Sequence, residues 1–251
     1  MNPAPVFMTQ AKIVICKDIT ELSRKAAEEY VRLSNRSVAL GGRFVLALSG
    51  GSTPKSLYTL LASDEFRPQI PWGQSHFFWS DERSVPPDHP DSNYRMAFES
   101  LLAKVPVPKE NIHRIEAELE SEVAAAKYER TIRDFFRLSG PSLPRFDLIL
   151  LGLGDDGHTA SLFPGNPALE ETGRLVVATY VDKLKTYRIT LTLPVLNRAA
   201  NIFFLVAGES KAAALRAVLQ RSENLPAGGI ALQNGRLVWF LDEAAASRLQ
   251  S

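Results

Sequence analysis

A histidine set among glycines and acids, just after an apolar run, is the strongest chemical signal in the chain. Residues 146–165 read FDLILLGLGDDGHTASLFPG. Phe146 to Leu151 reads as a strand whose LILL core is apolar enough for burial on both faces, and it leads into a loop carrying Asp155, Asp156 and His158. Imidazole is the side chain best suited to proton transfer near neutral pH. Asp156, two residues earlier, is placed to orient the ring or stabilise its charged form. Glycines let a ligand come close to the backbone, and Pro164 with Gly165 stops a long helix from following at once. Open α/β sheets place their chemistry at such strand ends.

Gly152-x-Gly154-x-x-Gly157 also matches a dinucleotide-binding pattern, and Asp182 ends a later strand-like run from Arg174 to Tyr180. Two features argue against a bound dinucleotide. Asp155 and Asp156 would repel a pyrophosphate, and Pro164 interrupts the helix that should receive it.

Three further loops are candidates for the same site. Ser49-Gly50-Gly51-Ser52-Thr53-Pro54 follows an apolar strand, Phe44 to Leu48, and opens a helix. Ser52 or Thr53 suits the cap and Pro54 the first turn, so free N–H groups there can take a phosphate. The lysine of a nucleoside-triphosphate loop is missing. In Ala207-Gly208-Glu209-Ser210-Lys211, Ser210 is the expected cap, which puts Lys211 in a first helical turn. A cation there opposes the helix dipole unless it meets an anion. In Trp79-Ser80-Asp81-Glu82-Arg83, three charges end an apolar run, and the planar fork of Arg83 suits a phosphate or carboxylate. The other histidines, His76, His89 and His113, show no metal-ligand spacing, and the single Cys16 excludes a thiolate site. Converging loops of this kind make a phosphate pocket beside a histidine–aspartate pair, which defines an enzyme acting on a small phosphorylated molecule.

The elements that position these loops alternate. Strands are expected from Val6 to Cys16, at Phe44–Leu48, His76–Trp79, Phe146–Leu151, Arg188–Leu193 and Ile202–Ala207. A hairpin is expected about Gln233-Asn234-Gly235-Arg236, joining 229–232 to 237–241. Asp18 and Glu21 suggest a capping box before a helix with Leu22, Ala26, Tyr30 and Leu33 at helical spacing. Helices are also expected at Pro54–Leu61, from Ser92 to Leu102, at Val123–Leu138 and at Lys211–Leu219. The rhythm predicts an α/β fold, a mostly parallel open sheet with helices on both faces. With no repeat and no long linker, the 251 residues are expected to form a single domain. Net charge is +1, so no global field favours nucleic acid. The first sixteen residues lack a signal-peptide pattern, and no apolar stretch reaches the roughly 18 residues a membrane span needs. One cysteine allows no disulfide within the chain, which suits the cytoplasm. A monomer, or at most a weak homo-oligomer, is expected.

The blocks LALSGGSTP, SDERSVPPDHPDSNYRM, LGLGDDGHTASLFPG, RITLT and GESKAAAL stand in an order that resembles the 6-phosphogluconolactonases, enzymes of the oxidative pentose phosphate pathway. The resemblance spans about residues 44 to 219. It implies the deaminase/isomerase-like α/β fold, a sugar-phosphate lactone as substrate, and no metal or organic cofactor. By the same resemblance, water activated by His158 attacks the lactone, with Asp156 orienting the imidazole. Arg83 or the N–H groups of Gly50 and Gly51 meet the oxyanion, while Arg188 and Lys211 hold the phosphate. Glucosamine-6-phosphate deaminases share a DGH loop that reads HIAFNEPG and carries a ring-opening glutamate five residues after the histidine. Phe163 stands at that position here. A sugar-phosphate effector domain is a further alternative, although it would call for a helix-turn-helix partner and would not need His158.

Overall fold

The computed structural model describes residues 11–232 and 234–249. Six parallel strands form the main sheet: β1 (Lys12–Cys16), β2 (Phe44–Leu48), β3 (Ser75–Trp79), β5 (Leu148–Leu151), β8 (Asn201–Val206) and β9 (Arg236–Asp242), in the order β1-β9-β8-β5-β2-β3. Successive strand residues point to opposite faces. Every residue of β2 and β5 is buried, so both faces of the sheet centre are covered. The helices are α1 (Ile19–Gly41), α2 (Ser52–Leu61), α3 (Asn93–Ser100), α4 (Ser121–Phe136), α5 (Leu193–Asn197), α6 (Ala212–Gln220) and α7 (Glu243–Ala246). Among the described residues no helix is long and apolar enough to cross a membrane.

A second, antiparallel sheet was not foreseen. It has the order β4-β7-β6, from β4 (Asp81–Arg83), β6 (Val176–Val181) and β7 (Thr186–Leu191). Ser80 joins the two sheets. Its N–H donates to Leu48 O at 2.8 Å, and its carbonyl accepts from Leu191 N at 2.8 Å. The strand expected at Arg188 therefore belongs to this small sheet.

Local expectations differ in detail. Asp18 caps α1, accepting from the N–H groups of Thr20 and Glu21, both at 2.9 Å. Glu21 reaches back to Lys17 N at 2.8 Å rather than to Asp18, so the box closes one residue early. Leu22, Ala26, Tyr30 and Leu33 are buried as their spacing predicts. The hairpin before β9 does not form. Pro226–Gly229 is a tight helical turn, and β9 pairs in parallel with β1 and β8, whose apolar strands offer it burial on both edges. Gln233 and the part of the first strand before residue 11 lie outside the described residues.

Two buried tyrosines pin the carboxyl ends of adjacent strands. The Tyr58 hydroxyl, on α2, accepts from Ser49 N at 3.0 Å and donates to Ser49 O at 2.9 Å. The Tyr128 hydroxyl, on α4, does the same for Trp79, at 2.7 and 3.0 Å. Glu82, also buried, ties β4 to the start of α3. Its oxygens accept from the N–H groups of Arg83 (2.8 Å), Asn93 (2.7 Å) and Tyr94 (2.8 Å) and from the Ser92 hydroxyl (3.1 Å). Ser92 caps α3 as expected, through Arg95 N.

Glu82→Gln keeps the shape but turns one acceptor into a donor facing donors. We expect a loss on the order of 3 kcal/mol, because buried donors are left unpaired. Urea unfolding should show a lower midpoint with an unchanged slope.

Candidate active site

The four loops converge on one cavity of about 290 Å³ at the carboxyl edge of the main sheet. Its walls are Ser49 to Pro54, Asp81 and Arg83 with Asn93, Gly152 to Gly154 with His158 and Ala160, and Leu205 to Ala207 with Lys211.

His158 is fixed on two sides. Its Nδ1 lies 2.5 Å from Asp156 Oδ1, and Asp156 Oδ1 also accepts from the His158 backbone N–H at 3.2 Å. Burial opposes a charge on Asp156. Bonds and charge from His158, with a bond from Lys183, outweigh it and hold the carboxyl down at about 2. An ionised carboxylate only accepts, so Nδ1 carries a proton and the neutral ring keeps Nε2 as its basic atom. Phe163 stacks on the imidazole, with centroids 4.1 Å apart and planes at 24°. The phenyl ring is buried, so it closes one face of the imidazole.

The Gly-x-Gly pattern has a local reason. A Cβ on Gly154 would overlap the His158 ring and crowd Asp156 Oδ1. Glycine is needed there so that the imidazole can fold back on its own loop. That loop is closed by Gly154 N to His158 O at 2.8 Å and by the Thr159 hydroxyl to Gly152 O at 2.9 Å. No helix follows β5 directly, so the dinucleotide geometry is not built.

Ser52 is not the cap of α2. Gly51 is, and no side chain caps that helix. The helix starts two residues earlier than expected, and its first N–H groups have no side-chain acceptor to compete with an anion. Gly50 packs against Asn93, which occupies the space a Cβ at position 50 would need. Ser210 is not a cap either. Gly208 precedes a tight turn, Glu209–Lys211, and Lys211 itself stands at the N-cap of α6. Both carboxylate oxygens of Asp242 accept from Gly208 N at 3.0 Å and hold this turn.

Arg83 lines the cavity and is steadied by a bond from Nη1 to Asp91 O at 2.7 Å. Arg188 does not line it. It pairs directly with Arg83 across β4 and β7. Burial, and then the charge of Arg83, push Arg188 below the ordinary arginine value. Arg83 and Arg188 are like charges on paired strands, a repulsion that a bound anion would relieve.

Several residues here have no signature in the sequence. Lys183 Nζ lies 3.2 Å from Asp156 Oδ2 and 3.6 Å from Asp155. It reaches the pair from the turn between β6 and β7, and that turn is foreseeable only once the antiparallel sheet is known. Ser161 donates to Asp81 Oδ2 at 2.6 Å, and Asn93 Nδ2 donates to Asp81 O at 3.0 Å. Asp81 is therefore held through both its carboxylate and its backbone carbonyl. Among the described residues no three His, Cys, Asp or Glu side chains gather as a metal-binding group. His76 and His113 stack on each other away from the cavity.

A parallel sheet whose glycine loops surround a histidine–aspartate pair, beside arginine and lysine, defines a sugar-phosphate enzyme of the deaminase/isomerase-like α/β class. Residues 17–239 match the family model of glucosamine-6-phosphate isomerases/6-phosphogluconolactonase, and the chain belongs to that family. It is 46% identical over 219 residues to a 6-phosphogluconolactonase of Synechocystis sp., covering 86% of this chain and 88% of that one. A 6-phosphogluconolactonase of Nostoc sp. is 41% identical over 241 residues, covering 94% of this chain and 98% of the relative. The solved 6-phosphogluconolactonase of Trypanosoma brucei superposes with a TM-score of 0.85 at 29% identity, over 96% of this chain and 99% of that one.

The Asp156 carboxyl should make acid stability measurable. Its folded value of about 2 lies below the ordinary 3.8, so its contribution is complete above about pH 4 and is lost as pH falls through 2. Asp156→Asn should be less stable than the wild type at pH 7, and the gap should close between pH 4 and pH 2. Urea unfolding across that range measures it.

Proposed function

We propose that the chain hydrolyses 6-phospho-D-glucono-1,5-lactone to 6-phospho-D-gluconate in the oxidative pentose phosphate pathway, acting as a single cytoplasmic domain. The observation that carries this reading is the Asp156–His158 pair, which leaves Nε2 as a base in a cavity shared with Arg83 and Lys211. The names of the relatives in Synechocystis and Nostoc support the same substrate.

In the proposed reaction Nε2 takes a proton from water as the water oxygen attacks the lactone carbonyl. Asp156 stabilises the imidazolium that forms. The oxyanion is met by Arg83 or by N–H groups of the Gly50–Gly51 loop. When the tetrahedral species collapses, the ring C–O bond breaks and the imidazolium returns its proton to the leaving ring oxygen. Water is consumed and no covalent enzyme intermediate forms. Lys211, with Arg188 beside Arg83, holds the 6-phosphate, and the open start of α2 supplies further donors. Phe163 fills the position of the deaminase glutamate with a ring against His158, which favours the lactonase over the deaminase.

A coupled assay on freshly made lactone, corrected for spontaneous hydrolysis, tests the reading. His158→Asn should lose roughly 10²–10⁴ in turnover while still binding 6-phosphogluconate. Turnover of the wild type should fall on acidification, because a protonated ring cannot accept the proton from water. Lys211→Ala should chiefly raise KM. Retained turnover in His158→Asn, or ammonia released from glucosamine 6-phosphate by the wild type, would overturn the assignment.

Phe163→Leu separates ring positioning from binding. Leucine keeps the site apolar but leaves the imidazole free to tilt. We expect kcat to fall on the order of tenfold with KM nearly unchanged. An unchanged kcat would reduce Phe163 to packing.

A further inference from the structure

The opposite end of the main sheet carries a second concentration of charge. A groove of about 720 Å³ lies between the last turns of α1 and the amino ends of β2, β5, β8 and β9. Arg32, Arg36, Arg43, Arg145 and Arg236 all line it, in a chain whose net charge is only +1. Two carboxylates serve this cluster. Glu29 takes Arg32 at 2.8 Å and Arg236 at 3.1 Å, while Asp147, which also lines the groove, accepts from Val45 N at 2.8 Å and interacts by charge with Arg43 and Arg145 beyond ion-pair distance. Among the described residues Arg36, Arg43 and Arg145 have no carboxylate within ion-pair distance.

Arg43 and Arg145 are held by contacts other than an ion pair. The Arg43 guanidinium lies 4.6 Å from the centre of the Phe135 ring. Arg145 Nη2 donates to Asn234 O at 2.9 Å. Arg236 places both terminal nitrogens on Glu29. Forks fixed in this way lose little freedom when they bind a ligand. Compensation of helix ends does not account for the cluster, because a helix carboxyl end carries only about half a charge. Phe136 and the exposed Leu40 add an apolar wall.

We propose that this groove is a second ligand site, for a small organic polyphosphate of the nucleoside di- or triphosphate class. The phosphoryl oxygens would take the forks of Arg36 and Arg43 in parallel pairs of hydrogen bonds, and the Arg145 nitrogens that do not serve Asn234 O. The organic part would lie against Leu40 and Phe136. A concave site with an apolar wall suits a small molecule better than a nucleic-acid backbone, which needs an extended basic track.

Isothermal titration with ATP, without magnesium and at 0.15 M salt, tests this on the full chain. We expect saturable binding of one ATP, unchanged in Lys211→Ala and displaced by tripolyphosphate. Binding should weaken at least about tenfold in Arg43→Gln/Arg145→Gln, and also in Arg43→Lys/Arg145→Lys, where the charge remains but the fork is lost. Arg36→Gln, at an exposed position on α1, should weaken it as well. Lactone hydrolysis and the unfolding midpoint should stay at wild-type values in Arg36→Gln, so a loss of binding there is not a loss of fold. Absence of saturable binding at about 1 mM ATP, well above a useful affinity, would overturn the proposal. So would binding that survives the arginine changes but is lost in Lys211→Ala, since that places ATP in the His158 cavity. Displacement of ATP by a single-stranded RNA more effective than tripolyphosphate would replace the small ligand with nucleic acid.

Discussion

Where a parallel sheet ends, its last backbone N–H and C=O groups have no ladder partners, and this chain satisfies them with side chains brought from elsewhere. Tyr58 serves Ser49 after β2, and Tyr128 serves Trp79 at the end of β3. The Thr159 hydroxyl serves Gly152 after β5, and Asp242 serves Gly208 after β8. An unpaired buried backbone group costs about 1–3 kcal/mol, so each anchor matters to stability. Each also fixes the root of one of the four loops around the cavity. The site is a by-product of closing the sheet edge, and its geometry inherits the rigidity of that closure.

On this rigid rim the charges are arranged in opposed groups. Asp155 and Asp156 stand with Lys183 on the histidine side, while Arg83 and Arg188 stand together on the neighbouring sheet. The carboxylate that touches His158 is kept ionised, so the imidazole has a fixed donor side and a fixed basic side. The arginine pair, by contrast, is left with a like-charge neighbour. In the proposed reaction one half of the cavity moves a proton and the other receives an anion.

The strands and helices were largely legible because their apolar periods are strong. Phe44–Leu48 and the buried face of α1 follow from pattern alone. The glycine loops and His158 were legible for the same reason, since they interrupt those patterns abruptly. What escaped was set by distant partners. The small antiparallel sheet depends on Ser80 bridging two strands far apart in the chain. Tyr58 and Tyr128 look like ordinary members of helix faces, and nothing local reveals that their hydroxyls end strands. The cap expected at Ser52 is replaced by Gly51, which leaves the first N–H groups of α2 without a side chain, and the one expected at Ser210 falls inside a tight turn that Asp242 holds through Gly208 N. The turn about Asn234-Gly235 has hairpin chemistry, but parallel pairing with β1 and β8 buries more of β9 than a hairpin would.

The contact of Gly50 with Asn93 joins three loops into one unit of heredity. A side chain at position 50 would displace Asn93, whose amide holds the Asp81 carbonyl, and Asp81 in turn receives the Ser161 hydroxyl from the histidine loop. A side chain at position 50 meets only the Asn93 amide, so its first effect is to take a donor from the Asp81 carbonyl. A larger residue at position 50 calls for a shorter one at 93 and for another donor to the Asp81 carbonyl. Positions 50 and 93 are therefore coupled, and the effect of changing one depends on what stands at the other.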